Sequence, residues 1–248
     1  MAEERTGPAG EDRQPAAPAR RASDRGKYGR LSRERVLTAA LDLVDREGLS
    51  ALSMRRLGAE LGVEAMALYR YAEGKDALLD GLVEALHLEL EQRLEGPDPE
   101  EGDWRAGLHR IARAMYDVCL AHPRAVPLLA TRLLAVPLAR RPLPVLRGHE
   151  RVLGLLRRSG LDAAGSAAAF QAFTAWLLGY VVVELRPVVD NPDEPDPAFR
   201  LGLHRMPAQE LPLLRETAAS LAERHGPEGL AAGLDALLDR FTGLGRVR

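Results

Sequence analysis

Cysteine and aromatic residues are scarce in this chain. Its 248 residues include one cysteine, Cys119, and only 4% of them are aromatic. A single thiol excludes an internal disulfide framework and any zinc site built from several cysteines. The apolar residues, 46% of the chain, are mostly Leu, Ala and Val, and 28% of the residues are charged. This composition favours helices over strands, so we predict an all-α protein.

The sequence also lacks an obvious targeting or membrane-spanning segment. The first thirty residues are rich in Arg, Pro, Ala and Glu and contain no apolar segment typical of a signal peptide. The most apolar stretch, Phe170 to Val183, has 14 residues, fewer than the roughly 20 that cross a bilayer as a helix. We therefore expect a cytoplasmic protein without a membrane partner.

Positive charge is concentrated near the start of the chain. The formal net charge is only −2, but the segment from Arg13 to Arg35 holds eight basic residues and two acids, Asp24 and Glu34. Residues 1–28 contain little to bury, so we predict that they form a disordered basic arm. The arm is either a solvated tail or an extension that follows a phosphate backbone. Its position directly before the first predicted helices favours the second interpretation.

Helical periodicity begins at Leu31. Ser32 and Ser53 are suited to cap helices over about 33–47 and 54–61, and Gly48 and Gly62 are suited to end them. A short helix over about 65–71 and a long amphipathic helix over about 75–94 follow. Two short helices joined by a glycine turn and packed on a longer one form a helix-turn-helix. After a break at Gly96–Pro99, we predict further helices over about 104–121, 123–134, 144–158, 163–185, 207–225 and 227–244, with a loop over 186–206.

The second short helix of this unit is unusually polar and aromatic. Leu68 is the one large apolar residue on its inward side, which leaves Tyr69, Arg70 and Tyr71 for other contacts. Tyrosine hydroxyls bond phosphate oxygens, and arginine reaches phosphates or the major-groove edge of guanine. The composition of this helix therefore indicates a DNA-recognition helix.

Residues Leu31 to about Leu90 resemble the DNA-binding domain of the TetR family of bacterial transcriptional regulators. Segments 39–44 and 48–57 match its first two helices, segment 61–71 its turn and recognition helix, and segment 74–79 the start of its fourth helix. The resemblance implies that Arg55 contacts bases or backbone, that Tyr69 contacts the backbone and that Lys75 binds a phosphate. Several residues around the recognition helix differ from the tetracycline-repressor type, so we expect a different operator. The predicted DNA-binding residues are Ser53, Met54, Arg55, Ala65, Met66, Ala67, Tyr69, Arg70, Tyr71 and Lys75.

Beyond Leu94 the resemblance is weaker and is carried by segment 102–105, by His122-Pro123 and by segment 178–180. It implies a helical bundle that forms a homodimer and encloses a small-molecule pocket. We predict the helices over 163–185 and 228–244 as the dimer interface, with Ala167, Ala168, Ala172, Ala175 and Gly179 permitting close approach; an internal core helix is the alternative. Seven residues are candidates for the pocket, and for each of them the alternative role is a core or dimer contact. They are Trp104, His109, Tyr116, Gln171, Thr174, Trp176 and Tyr180.

Together these features predict a ligand-responsive, sequence-specific DNA-binding regulator. The simplest form is a repressor that a small molecule releases from its operator; the alternative is an activator, or a ligand-independent DNA-binding or interaction protein. The expected partners are double-stranded operator DNA, a small-molecule effector and a second copy of the chain, with no required cofactor and no predicted metal site. No catalytic motif is found, so we do not expect an enzyme. The predicted divisions are the arm over 1–28, a helix-turn-helix domain over 29–75 and a regulatory and dimerisation domain over 76–248.

Overall fold

A computed structural model describes residues 31–96, 103–185, 195–196, 202, 205–207 and 209–245. Within these residues the chain folds into ten α-helices without a strand, which confirms the all-α prediction. The predicted arm over 1–28 and most of the predicted loop over 186–206 lie outside the described residues. The helices are α1 (Arg33–Glu47), α2 (Met54–Leu61), α3 (Ala65–Leu68), α4 (Lys75–Arg93), α5 (Trp104–Ala121), α6 (Val126–Ala135), α7 (Leu143–Arg158), α8 (Ala163–Leu185), α9 (Pro212–Ala222) and α10 (Gly226–Gly245), with a short 3-10 helix at Leu138–Arg140.

Local capping sets the ends of the first two helices, as the sequence predicts. Ser32 Oγ accepts a hydrogen bond from the backbone N–H of Arg35, and Ser53 Oγ accepts one from Arg56, at 3.2 and 3.1 Å. Each bond satisfies an amide that has no partner within its own helix. Gly62 ends α2 with φ 67°, in the left-handed region, where a side chain is strained.

Two glycines allow the N-terminal helices to pack closely. A Cβ atom at Gly58 would lie 2.8 Å from the carbonyl oxygen of Val63, so α2 and the turn before α3 approach each other at this point. A Cβ atom at Gly81 would lie 2.4 Å from Cδ2 of Leu37, where α4 crosses α1. The three short helices and the start of α4 therefore pack on one another through small contact residues.

Helix α4 is the central element of the described fold. It packs against α1, α5, α6 and α7. Its buried residues occur on more than one side, from Leu78 to Leu90, because it has neighbours on several faces. One continuous helix thus joins the helix-turn-helix to the C-terminal bundle.

The apolar stretch that includes Phe170 to Val183 is longer than predicted, and it forms helix α8. The uncharged segment extends back to Ala163 because small residues continue it, and the resulting helix of 23 residues is long and apolar enough to cross a bilayer by length and composition. In the fold, α8 packs against α5, α6, α7 and α10. The residues Val181 to Val183 remain helical, as predicted.

Three predicted helices have different limits in the structure. α3 ends at Leu68 because a turn follows, in which the N–H groups of Tyr71 and Ala72 bond the carbonyl of Leu68. α6 begins at Val126, after a turn closed by the N–H of Ala125 on the carbonyl of His122. α9 begins at Pro212 rather than at Pro207. These limits depend on short-range turns that helical periodicity does not show.

Candidate nucleic-acid interface and internal cavity

The α2–α3 unit presents most of the predicted DNA contacts to solvent. Met66 is 75% exposed and Tyr69 is 45% exposed, which is unusual for large apolar and aromatic side chains in a folded domain. Arg55 and Arg70 are exposed as well. This surface combines a guanidinium, a phenol and an apolar side chain around one short helix.

Arg70 and Tyr71 form a pair beside Tyr69. The Arg70 Nη2 atom lies 3.5 Å from the Tyr71 hydroxyl oxygen, and the guanidinium carbon lies 5.7 Å from the centre of the Tyr71 ring. This distance is within the range of a cation–π contact. The aromatic ring therefore orients the guanidinium while its remaining N–H donors stay available.

Met54 is the predicted DNA contact whose side chain is not accessible. It is the first residue of α2 and is only 8% exposed, because its side chain packs into the core of the helix-turn-helix. The structure therefore removes this side chain from the DNA-facing set. Ala65 and Ala67 are half-buried, and Ser53 is exposed but uses its hydroxyl to cap α2.

Lys75 lies at the N-terminus of α4. It is exposed and is the first residue of this 19-residue helix. The unpaired amide groups of a helix N-terminus attract anions, so a lysine there adds a positive charge to a site that already suits phosphate. Asp76 follows it but is engaged by Arg132.

Arg56 has a structural role that sequence analysis did not identify. Its guanidinium contacts Glu47 at the end of α1 and lies 3.1 Å from Glu60 in its own helix, and Arg46 lies 2.7 Å from the same Glu60. These ion pairs bind α1 to α2. The neighbouring Arg55 remains directed outwards, so the two adjacent arginines differ in role. The only sequence signal for the structural role of Arg56 is Glu60, which lies four residues later in the same helix.

His122 connects the helix-turn-helix to the rest of the molecule. Its Nδ1 atom lies 2.6 Å from Asp45 Oδ2 on α1, and its Nε2 atom lies 2.7 Å from Glu89 Oε2 on α4. Carboxylates accept hydrogen bonds, so hydrogen bonds at both ring nitrogens require the doubly protonated ring. Burial alone would lower the pKa of His122, but its hydrogen bonds to Asp45 and Glu89 raise that pKa above the ordinary value.

An internal cavity of about 260 Å³ lies among α4, α5, α7 and α8. Its walls are mainly apolar side chains, and two imidazoles, His87 and His149, are among the polar groups of the lining. Burial lowers the pKa of both histidines, that of His149 to about 4, so both rings are neutral near pH 7. The apolar lining consists of Leu90, Leu94, Ile111, Met115, Pro144, Val152, Phe170, Phe173, Leu177 and Leu178.

Of the seven predicted pocket residues, the structure brings Thr174 to this cavity. Tyr116, Trp176 and Tyr180 instead form an aromatic cluster between α5, α8 and α10. The Tyr180 hydroxyl donates to the carbonyl of Gly226 at 2.5 Å, and a Cβ atom at Gly233 would lie 3.0 Å from the Trp176 ring. This packing gives the three rings a role in joining α10 to the bundle.

The other three pocket candidates also lie away from the cavity. His109 Nε2 lies 2.9 Å from Asp235 Oδ1 on α10, Trp104 stacks with Arg105 at 5.6 Å, and Gln171 is exposed on α8. The cavity residues His87, His149, Phe170 and Phe173 were missed. Each of them is a polar or aromatic residue within an apolar helix. This pattern does not identify cavity residues, because residues that lie away from the cavity show it as well.

Cys119 does not have the properties of a nucleophile. The residue is 1% exposed, and burial, with the charge of Glu89 as a lesser cause, raises the pKa of its thiol to about 12. A thiol reacts as its thiolate, which this environment suppresses. Cys119 is therefore a packing residue of α5.

Two family models match nearly the whole of the described fold. Residues 36–82 match the model described as bacterial regulatory proteins, tetR family. Residues 96–241 match the model described as tetracyclin repressor-like, C-terminal domain. The chain belongs to the TetR family. Its members are generally regulators without catalytic activity that bind DNA and small-molecule effectors.

Individual TetR-family proteins show the same similarity. The HTH-type transcriptional repressor DrrR1 of Streptomyces coeruleorubidus is 35% identical over 160 residues, which are 64% of this chain and 56% of that protein. The chain thus matches less than two thirds of this relative's length. A possible TetR family transcriptional regulator from Streptomyces coelicolor A3(2) is 28% identical with a TM-score of 0.69, covering 88% of this chain and 100% of that one. ActR from Streptomyces coelicolor in complex with (S)-DNPA is 26% identical with a TM-score of 0.67, covering 88% and 100%.

Proposed function

We propose that this protein is a sequence-specific transcriptional regulator that binds an operator as a homodimer and is released from it by a small molecule. The observation that carries this proposal is the exposed group of Tyr69, Arg70 and Lys75 on a helix-turn-helix, together with a cavity that the central helix α4 lines further along its length. We propose that the protein represses transcription rather than activating it, because DrrR1 is named a repressor. An activator would present the same surface to DNA and remains the second candidate.

The recognition surface divides into two kinds of contact. We propose that Arg70, in the turn after α3, and the exposed residues of α3 read base edges, whereas Lys75 at the N-terminus of α4 and the Tyr69 hydroxyl bind phosphates. Residues 31–75 carry equal numbers of acidic and basic side chains. We therefore propose that few phosphate contacts form per subunit and that affinity depends on reading two half-sites.

The small-molecule part of the proposal rests on the cavity. Apolar walls with a few polar groups are typical of ligand sites, and the ActR structure with (S)-DNPA shows that a protein of this fold holds an organic molecule. Helix α4 contributes His87, Leu90 and Glu91 to the cavity and begins at Lys75. We propose that a bound effector shifts α4 and so changes the separation of the two recognition helices. We propose no cofactor, metal site or catalytic role.

The dimer is proposed from one face of α8. The exposed positions Ala164, Ala168, Ala175, Gly179 and Val183 recur at helical spacing along this helix. Val183 is 67% exposed, and a Cβ atom at Gly179 would meet nothing within 4 Å. A long apolar face of small residues allows a second helix to pack closely. We also propose the division into a DNA-binding part over 29–75 and a regulatory part over 76–248.

Fluorescence anisotropy with DNA that flanks the protein's own gene tests the DNA-binding proposal. The native protein should bind one such fragment more tightly than a scrambled fragment at about 150 mM salt. Arg70→Ala should weaken that selective binding by about tenfold or more, since one base-reading arginine contributes about 1–3 kcal/mol. Arg113→Ala, which removes an exposed arginine on α5, is the matched control and should leave binding unchanged.

Equal affinity of the native protein for all fragments, repeated after selection from random DNA, would contradict the proposal. A loss of binding as large in Arg113→Ala as in Arg70→Ala would contradict the assignment of α3 as the reading element.

A further inference from the structure

A second, more polar cleft adjoins the cavity. The cleft has a volume of about 500 Å³ and lies against α5 and α7. Leu94, Ile111, Arg147 and Arg151 line both the cavity and the cleft. The two spaces are therefore neighbours, and Arg147 and Arg151 border both of them.

The cleft is lined by arginines on one face of α7. Arg147, Arg151 and Arg158 follow one another at spacings of four and seven residues, and Gly154 between them has no side chain to fill the space. Arg110 joins them from α5 and also donates to the carbonyl of Leu94 at 2.6 Å. Four guanidinium groups thus line one cleft next to an apolar chamber.

Acidic side chains neutralise only part of this charge. Among the charged residues that line the two spaces, Glu91 and Glu150 oppose the four arginines. Glu91 lies 4.0 Å from Arg147, at the limit of an ion pair, and Glu150 is exposed. Within the part of the chain that the structure describes, no hydrogen bond or ion pair of Arg151 or Arg158 is found. Among the described residues, the arginines of the cleft therefore outnumber its acids, and an acidic ligand can neutralise this surplus.

His149 is held in the wall of the cavity by packing. Its ring packs edge-on against Phe170, with 5.0 Å between ring centres. Its Nδ1 atom is buried, and no group in the described residues bonds it. The polar groups that remain open to a ligand are therefore the guanidinium groups of the neighbouring arginines.

We propose that the effector is an amphipathic organic anion, whose apolar body fills the cavity while its acidic group binds the arginines of α7 in the cleft. This inference rests on the proposed effector function and adds the chemical class of the ligand. Arginine suits this task because its planar group binds carboxylate, sulfonate or phosphate oxygens with paired hydrogen bonds. A neutral apolar molecule would occupy the cavity and leave the guanidinium charge unmatched.

Two fluorescent probes with the same rings test the class directly. 8-Anilinonaphthalene-1-sulfonate carries an acidic group, and N-phenyl-1-naphthylamine is the same ring system without it. Both are titrated into the full chain without DNA, near neutral pH and at about 150 mM salt, where non-specific ionic attraction is screened. Arg151→Gln should weaken binding of the sulfonate by about fivefold or more and leave binding of the neutral probe within about twofold.

Arg157→Gln is the matched control. Arg157 is the exposed arginine before Arg158, it donates to the carbonyl of Leu161 at 2.8 Å, and it does not line either space. Thr174→Trp fills the cavity and should weaken the binding of both probes equally.

If circular dichroism shows that this variant is misfolded, a competition experiment with the native protein replaces it. The acids decanoate and 1-naphthoate should displace the sulfonate probe, and the matching amides, decanamide and 1-naphthamide, should not. Whichever acid competes better identifies an aliphatic or an aromatic body.

An equal effect of Arg151→Gln on both probes, or displacement by amides as strong as by acids, would overturn the anionic class while leaving a working cavity. Failure of either probe to bind with a defined stoichiometry would contradict the cavity as an effector site. Operator binding is measured separately and does not depend on these probes, so the failures of the two proposals are distinguishable.

Discussion

Gly58 is the residue on which the geometry of the helix-turn-helix depends most directly. Its carbonyl accepts the N–H of Val63 at 2.9 Å, and the space for a Cβ atom is occupied by backbone atoms of Val63 and Ala65. A backbone neighbour cannot rotate away as a long side chain can. Any substitution at Gly58 must therefore move α3 relative to α2.

We predict that Gly58→Ala lowers the free energy of unfolding by about 1–3 kcal/mol, the usual cost of overpacking a core. Urea denaturation followed by circular dichroism measures this change. Gly154→Ala is the control, because Gly154 lies within α7 and a Cβ atom there meets nothing within 4 Å; it should stabilise the protein by about 0.5–1 kcal/mol. Equal effects of both substitutions would show that the close approach at Gly58 has no energetic importance.

Sequence predicted the residues whose role is local and missed those whose role is set by packing. Ser32, Ser53 and Gly62 were assigned correctly because a cap or a left-handed turn involves only a few neighbouring residues. Phe170 and His149 were missed because they come from different helices, and the face that each helix turns to the cavity depends on all its neighbours. In contrast, the uncharged length of α8 was underestimated because alanine and serine do not stand out as apolar.

At the scale of elements, the His122 cluster joins three of them. Asp45 extends from α1, Glu89 from α4, and His122 follows α5, with Arg93 on Glu89 at 2.7 Å and Arg124 donating to the carbonyl of Arg46 at 2.6 Å. The hydrogen bonds of Arg93 and His122 hold the pKa of Glu89 below its usual value, although burial alone would raise it. The cluster thus needs a deprotonated Glu89 and a protonated His122.

This requirement gives the cluster a defined pH range. The pKa of His122 is higher in the folded state than in the unfolded state, so its contribution to stability is complete below about 6.5. That contribution is lost as the pH rises through the folded-state pKa. The contribution of Glu89, whose pKa is lowered, is lost in the opposite direction, as the pH falls through its folded-state pKa.

We predict that the free energy of unfolding decreases as the pH rises above about 6.5 through the folded-state pKa of His122, because the protonated ring that both carboxylates bind is then lost. His122→Gln should remove this pH dependence and lower stability at the acidic end of the range. Urea titrations across the range measure both. His225→Gln, at an exposed histidine near the start of α10, should retain the native pH profile; if His122→Gln also retains it, the cluster is not the cause.

For the whole molecule, the exposed face of α8 determines the oligomeric state that we propose. We predict that Gly179→Arg converts a dimer into a monomer of 27.0 kDa. The substitution places a charge on the face that a partner would cover. Gly179 is exposed and a Cβ atom there meets nothing within 4 Å, so the monomer fold should persist. Light scattering after size exclusion measures the mass.

Thr38→Arg adds the same charge at an exposed position of α1 and should remain dimeric. If Gly179→Arg keeps the native mass, another surface forms the dimer. Operator binding by the monomeric variant should be weaker by orders of magnitude, because a single helix-turn-helix reads only one half-site.

The continuity of α4 has a consequence for how such a protein behaves in a cell. The helix begins at Lys75, the proposed phosphate contact, and carries His87, Leu90 and Glu91 of the cavity wall. In the mechanism that we propose, operator and effector therefore change each other's affinity by the same factor. An effector titrated into the isolated protein will therefore bind more tightly than it binds the protein on DNA. The concentration that switches the gene exceeds the dissociation constant of the free protein, and surplus copies away from the operator capture the effector first.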